Sequence, residues 1–237
     1  MSVVRIILLI FGIIFILGSI PLLFGGGTLL WVDLTQKDDG GFISTETDQL
    51  ESDSYAIVTE SADIDLDEEW HWGWGWNADW DLGDLVTFKV EGSNNDDSKG
   101  IFIGVAQESD LMDYLSDVEY DEISHFRIHS HGFDVDYRNH PGNSSPMAPA
   151  SETFWMESTS GTGTQVLEWE LETGTYSLVI MNEDGSSDVD VDVSVGVKAP
   201  WIFGVGIGFV VGGIVALIMG ILMVVFAIRG RQRSQPA

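Results

Sequence analysis

The residues best suited by type to chemistry are His125, His129 and His131, with His140 nearby in sequence. In an extended strand alternate side chains share a face, so these three histidines point the same way. Imidazoles spaced in this manner can share a divalent ion, and Zn²⁺ or Cu²⁺ would suit them. Arg127 falls on the same face and would repel a cation. The segment reads His125-Phe126-Arg127-Ile128-His129, so no H-E-x-x-H metal motif is formed. The preferred expectation is a solvated face, with a metal site as the alternative; protonation of such a cluster could also serve as a pH switch.

A second candidate is the run Trp70-His71-Trp72-Gly73-Trp74-Gly75-Trp76, followed by Trp80. If extended, Trp70, Trp72, Trp74 and Trp76 line one face. Such a platform could stack on sugars, sit at a bilayer interface or meet a partner, because indole joins a broad ring to one N–H donor. The competing expectation is that the rings pack on the domain's own core or against another protomer. Asp188, Asp190 and Asp192 form a third pattern, with carboxylates spaced to reach one Ca²⁺. Alternation with Val189, Val191, Val193 and Val195 explains them more simply as the outer face of a strand. Nucleophile elbows, Walker loops and dinucleotide fingerprints are absent from the sequence. Without cysteine there is no disulfide, thiolate nucleophile or cysteine-bound metal.

The elements that would position these residues follow from the charge distribution. All 38 acidic residues lie between Trp31 and Ala199, together with six basic ones, so this middle region carries −32. The ends carry only Arg5, Arg229, Arg231 and Arg233, which restores the total of −28. A charge of this size excludes a nucleic-acid partner. It fits adaptation to very high salt, where screening acts over a few ångströms; a cation-collecting surface is the alternative.

Residues Ile6 to Phe24 form an uncharged apolar run long enough to span a bilayer. The run is longer than the apolar part of most signal peptides and lacks a small-residue cleavage site, so it reads as an uncleaved signal anchor. Pro21 and Gly25-Gly26-Gly27 mark its expected end. A second uncharged run covers Trp201 to Ile228. Arginines flank the outer ends of both runs, which predicts cytoplasmic termini and an outer middle region. The expected organisation is a cytoplasmic N-terminus (1–5), a first membrane helix with its exit (6–30), an acidic extracytoplasmic domain (31–199), a second membrane helix (200–228) and a basic cytoplasmic tail (229–237). Asn143-Ser144-Ser145 fits a glycosylation sequon on that outer side. In the second helix Gly204, Gly208, Gly212, Ala216 and Gly220 recur every four residues, which predicts a packing ridge against the first helix, with Gly12 and Gly18, or against a second copy of the chain.

The middle region reads as all-β. Residues 33–51 look like an irregular linker. Strands are expected at 54–59, 85–90, 99–106, within 123–137, and at 166–170, 175–181 and 188–197, with turns at Gly174 and Asn182-Glu183-Asp184-Gly185. Ser109 offers an N-cap for one short helix through Leu115, and 139–151 reads as a loop. Many short strands joined by such turns predict a β-sandwich, or a closed barrel.

Several stretches carry a family likeness: Tyr55-Ala56-Ile57-Val58, Ile101-Phe102-Ile103-Gly104-Val105-Ala106, Asp113-Tyr114-Leu115, His140-Pro141-Gly142 and Gly161-Thr162-Gly163-Thr164. The most specific is Gly174-Thr175-Tyr176-Ser177-Leu178-Val179-Ile180-Met181-Asn182 with Asp184-Gly185-Ser186, running on to Pro200-Trp201. In these the chain resembles a family of prokaryotic two-pass membrane proteins with no known activity. The resemblance runs from Tyr55 to the end and implies the layout anchor, outer β-domain, anchor. It assigns no catalytic residue, and the Trp-rich run and His125, His129 and His131 lie outside it.

The sequence thus points to a membrane-anchored, non-enzymatic cell-surface protein whose acidic β-domain makes protein contacts or assembles. The bilayer is one partner; another protein, or a second copy through the membrane helices, is the other. No cofactor is required. The alternative is an extracytoplasmic ligand-binding module, with a sugar on the Trp70–Trp80 stripe or a divalent metal on the His125–His140 cluster.

Overall fold

A computed structural model describes residues 3–65, 86–129 and 132–229, with side chains not described at 128 and 129. The chain divides into two compact units, one formed by Met1–Lys37 with Pro200–Ala237 and the other by Asp38–Ala199.

The first unit is a pair of helices, α1 (Val3–Thr35) and α3 (Trp201–Arg229), each long and apolar enough to cross a membrane. At 1.5 Å per residue they extend about 50 and about 43 Å, beyond the ~30 Å hydrocarbon core. Their outer faces expose large apolar side chains such as Phe11, Leu17, Phe24, Phe209, Leu222 and Phe226. Between them runs a seam of small residues. Gly12, Ser19 and Gly26 are buried on α1, and Gly206, Gly213, Gly220 and Ala227 on α3. Both sets are spaced by seven. Gly12 approaches Gly220 while Gly26 approaches Gly206, so the helices are antiparallel. Ser19 Oγ donates to the Ile16 carbonyl within its own helix at 2.7 Å, which satisfies the one hydroxyl in the seam.

Two expectations about these helices are corrected. α1 does not stop at Pro21 or at Gly25-Gly26-Gly27 but continues to Thr35. Pro21 lies on the exposed side, and membrane helices tolerate the missing bond. Gly26 serves packing rather than termination: a Cβ there would fall 2.8 Å from the Gly206 carbonyl oxygen. The four-residue ridge is not the seam. Gly204, Gly208 and Gly212 have open space beside them, as does Gly18; Ala216 is half-buried, and only Gly220 of the five meets α1 as part of the small seam. A step of four residues turns about 40° around a helix axis, so the ridge wanders about 160° between Gly204 and Gly220. A step of seven drifts only about 20° and stays with its partner.

The second unit is β-rich. Its elements are β1 (Ile43–Ser44), β2 (Asp48–Ser52), β3 (Ala56–Thr59), β4 (Ala62–Ile64), β5 (Thr87–Asn94), β6 (Ile101–Gln107), α2 (Glu108–Tyr114), β7 (Tyr120–His129), β8 (Gly132–His140), β9 (Glu157–Gly161), β10 (Gln165–Glu170), β11 (Gly174–Asn182) and β12 (Val189–Lys198). A five-stranded sheet runs β1-β12-β5-β10, with β2 also on β12. A seven-stranded sheet runs β8-β7-β3-β11-β6-β9, with β4 also on β11. The stretch 33–51 is therefore not a linker: it completes α1 and supplies β1 and β2 to an edge of the first sheet. β4 and β9 were not legible in the sequence, being short and polar. The segment 123–137 resolves into the antiparallel pair β7/β8, and β8 extends to His140. The short helix begins at Glu108 with Gln107 rather than Ser109 at its cap; Glu108 and Asp110 fill its first turn, where the helix dipole favours negative charge.

One buried cluster draws on both sheets: Leu50, Val90, Leu167, Val191 and Val193 from the first, with Ile57, Ile101, Ile103 and Ile180 from the second. Alternation works as expected in β12, where Val189, Val191 and Val193 are buried. A second cluster covers the other face of the seven-stranded sheet, where Leu111 and Leu115 meet Ala56, Val58, Phe102, Val179 and Met181. Apolar packing on both faces explains the unbroken apolar run Ile101–Ala106 in β6, all of it buried.

Candidate functional site

The β7/β8 pair carries the histidines and is irregular where they begin. Ile123 pairs with Tyr137 and His125 with Asp136, so Ser124 is an extra residue in β7. A bulge of this kind re-aims side chains. Beside it lies a cavity of about 210 Å³ lined by four consecutive residues of β7: Ile123, Ser124, His125 and Phe126. In a regular strand only alternate residues could share one face. Leu50, Val193 and Val195 of the first sheet supply the opposite wall, and Ile57, Phe133, Leu178 and Ile180 of the second sheet supply most of the rest. The rings of Phe126 and Phe133 pack 4.9 Å apart. Among the described lining residues, those with polar side chains are Thr59, Glu60, Ser124 and His125. The Thr59 hydroxyl accepts the Leu178 backbone N–H at 3.0 Å, and Ser124 Oγ donates to the Asp136 carbonyl at 3.0 Å.

The histidines are not gathered by their described atoms. His140 is held elsewhere, with Nε2 2.7 Å from Glu122 Oε2 and its ring stacked on Tyr120 at 4.5 Å. It stands four residues along β8 from the partner of His125, about 14 Å at the rise of a strand. His125 is exposed at the cavity. Arg127 forms an ion pair with Asp136 at 3.4 Å. His129 closes the pair opposite Gly132 with its side chain undescribed, and His131 lies outside the described residues. Among the described residues no group of three His, Asp or Glu is placed to hold a metal. Trp70, Trp72, Trp74, Trp76 and Trp80 also lie outside the described residues.

The aspartates of β12 are bound by amides. Asp190 accepts from Gln49 Nε2 at 2.7 Å and Asn95 Nδ2 at 2.8 Å, and Asp192 accepts from the same Asn95 amide at 3.3 Å. These donors, Gln49 first, hold the Asp190 carboxyl below its ordinary value. Asp117, in the left-handed region at φ 63°, is lowered in the same way by Asn143 and Ser144, whose side chains donate at 3.0 and 2.8 Å. Lys89 lowers Asp38, Ser98 lowers Asp96, and Ser186 lowers Asp184. Burial pushes the tyrosines the other way: Tyr137 rises to about 12, with the Asp121 carboxylate adding to the effect, and Tyr114 rises further.

A depressed carboxyl stabilises the fold above its unfolded pKa and loses that contribution as pH falls through its folded value. These five aspartates therefore make stability decline as pH drops below about 4. Thermal melting across pH 2–6 will show this decline, and Asp117→Asn will make it shallower by removing one titrating group while keeping an acceptor. A variant with the wild-type acid profile would show that Asp117 has no part in it.

Comparison of the chain with protein-family models, curated proteins and solved structures finds no match.

Proposed function

We propose that the chain is a two-pass membrane protein with both termini in the cytoplasm, whose acidic domain folds as a β-sandwich outside and serves as a non-enzymatic interaction domain. The observation that carries this reading is the antiparallel seam. Leu30 meets Gly206 at one end of the helix pair and Gly12 meets Gly220 near the other, so the chain leaves α1 after Thr35 and enters α3 at Trp201 at the same end of the pair. The acidic residues and the four arginines of the chain ends, Arg5, Arg229, Arg231 and Arg233, then fall on opposite sides, as the positive-inside rule prefers. The cluster shared by the two sheets supports the sandwich.

The layout is also that of the prokaryotic two-pass family that Gly174–Asn182 resembles. The non-enzymatic part draws support from the titration pattern: aspartates held ionised and tyrosines held neutral are poorly poised for proton transfer near neutral pH. For the partner, a second copy of the chain is favoured. The seam uses one side of α3 and leaves Gly204, Gly208 and Gly212 with room for another helix.

The cysteine-free chain makes the test clean. Asp97→Cys places one thiol on an exposed loop. A membrane-impermeant bifunctional maleimide added to intact cells will label it and capture a second copy. Absence of labelling would overturn the orientation, and labelling that never captures a second copy would overturn the assembly.

A further inference from the structure

The cavity between β2/β12 and β3/β7/β8/β11 is used by nothing described so far. Its walls are the aliphatic side chains of Leu50, Ile57, Leu178, Ile180 and Val193 and the rings of Phe126 and Phe133. At about 210 Å³ it is somewhat larger than cavities of ~150 Å³ that stay dry and admit one benzene ring. Among the described residues it is open at one edge, where Phe126 is 45% exposed and His125 and Glu60 are exposed. A well-packed core leaves few voids of this size, and the one here coincides with a bulge that turns four successive residues toward it.

The rim determines the class of ligand. Sugars require many directed hydrogen bonds, which walls of Leu, Ile, Val and Phe cannot provide. Anions meet Glu60 and a middle region carrying −32. A cation with an apolar body satisfies both parts, because its charge can rest between the Glu60 carboxylate and the half-exposed Phe126 face while its body fills the cavity. We propose that this cavity is a binding site for small organic cations bearing one aromatic or branched alkyl group, with the apolar group between the sheets and the ammonium at the Glu60–Phe126 rim. The site does not depend on which side of the membrane the domain occupies.

The test uses the full chain in lipid nanodiscs, with empty nanodiscs as the blank. Titration calorimetry compares 2-phenylethylammonium with phenylacetate, which has the same ring and opposite charge, and with methylammonium, which has the charge and no ring. The ring-bearing cation will saturate one site. Phenylacetate will bind about tenfold more weakly or less, the ratio expected when one exposed carboxylate attracts one ligand and repels the other. Methylammonium will show no saturable binding. Leu178→Trp, which fills the cavity, will abolish the site. Glu60→Gln, on the exposed rim where folding is not at stake, will keep ring binding and lose most of the tenfold preference. The proposal is overturned by the absence of saturable 2-phenylethylammonium binding, by equal binding of phenylacetate, by saturable methylammonium binding of the same strength, or by an unchanged preference in Glu60→Gln.

Discussion

Gly220→Leu will separate the two apolar helices α1 and α3 at the end where Val3 and Arg229 lie. A Cβ at Gly220 would fall 2.8 Å from the Gly12 carbonyl oxygen and 3.0 Å from the Ile16 backbone nitrogen. Both neighbours are main chain, which cannot rotate aside as a side chain can. Overpacking in a close contact costs about 1–3 kcal/mol, and a leucine set against backbone belongs at the upper end. Apolar helix faces gain little by burial inside lipid, so close van der Waals approach is most of what holds the pair together. Spin labels at Val4→Cys and Ile228→Cys, both outward-facing near that shared end, report the distance directly. The wild-type background should give one narrow distribution, and Gly220→Leu should broaden it and move it outward. Gly208→Leu, which has open space around it, should leave it unchanged. Equal distributions for the two leucine variants would show that the small seam does not hold the helices.

Asn182→Leu will be the most destabilising single polar-to-apolar change in the β-unit. Asn182 is fully buried at the end of β11. Its Nδ2 donates to the carbonyls of Ser186, Ser187 and Asp188 at 3.0, 2.9 and 3.3 Å. Its Oδ1 accepts from Asn94 Nδ2 on β5 at 2.8 Å. One side chain therefore ties β11 of the seven-stranded sheet to β5 of the five-stranded one, and holds the turn that carries the chain across to β12. That turn contains Gly185 at φ +73° and Asp188 at φ 59°, conformations that few residues adopt unaided. Leucine keeps the branching at Cγ, is bulkier, and offers none of the bonds, leaving carbonyls and the Asn94 amide without their partner. At about 1–3 kcal/mol for a group stranded in this way, the expected loss is about 3 kcal/mol. In a domain of this size that lowers the melting temperature by about 6–12 °C. Calorimetric melting of the full chain measures it, and a shift below about 2 °C would show that water replaces the amide at little cost.

Much of the architecture was legible because it rests on periodicities that only burial creates. The second apolar run, the alternation of β12 and the double-sided apolar run of β6 each appear in order along the chain, and the structure follows them to within a few residues; the first apolar run marks α1 but not its end at Thr35. The histidine pattern was legible as a strand, while the place of His140 away from His125 was not. The bulge at Ser124 and the pairing of His140 with Glu122 depend on a neighbouring strand, and no residue in β7 announces them. The cavity had no sequence signal for the same reason: its walls come from six strands in two sheets.

The turns around Gly174 and Asn182-Gly185 show where local reading ends. They read as turns between three successive strands, which leaves the pairing of those strands open. In the structure β10 pairs with β5, β11 with β3, β4 and β6, and β12 with β1, β2 and β5, so successive strands exchange sheets. A turn fixes that the chain reverses; which strand it then meets is decided by apolar faces seeking a common core. The same division holds in the helices. Composition alone determined that their long central runs are apolar, uncharged and rich in small residues. Only the packed pair decided which small residues touch, because a spacing of seven keeps pace with an antiparallel neighbour and a spacing of four turns away from it.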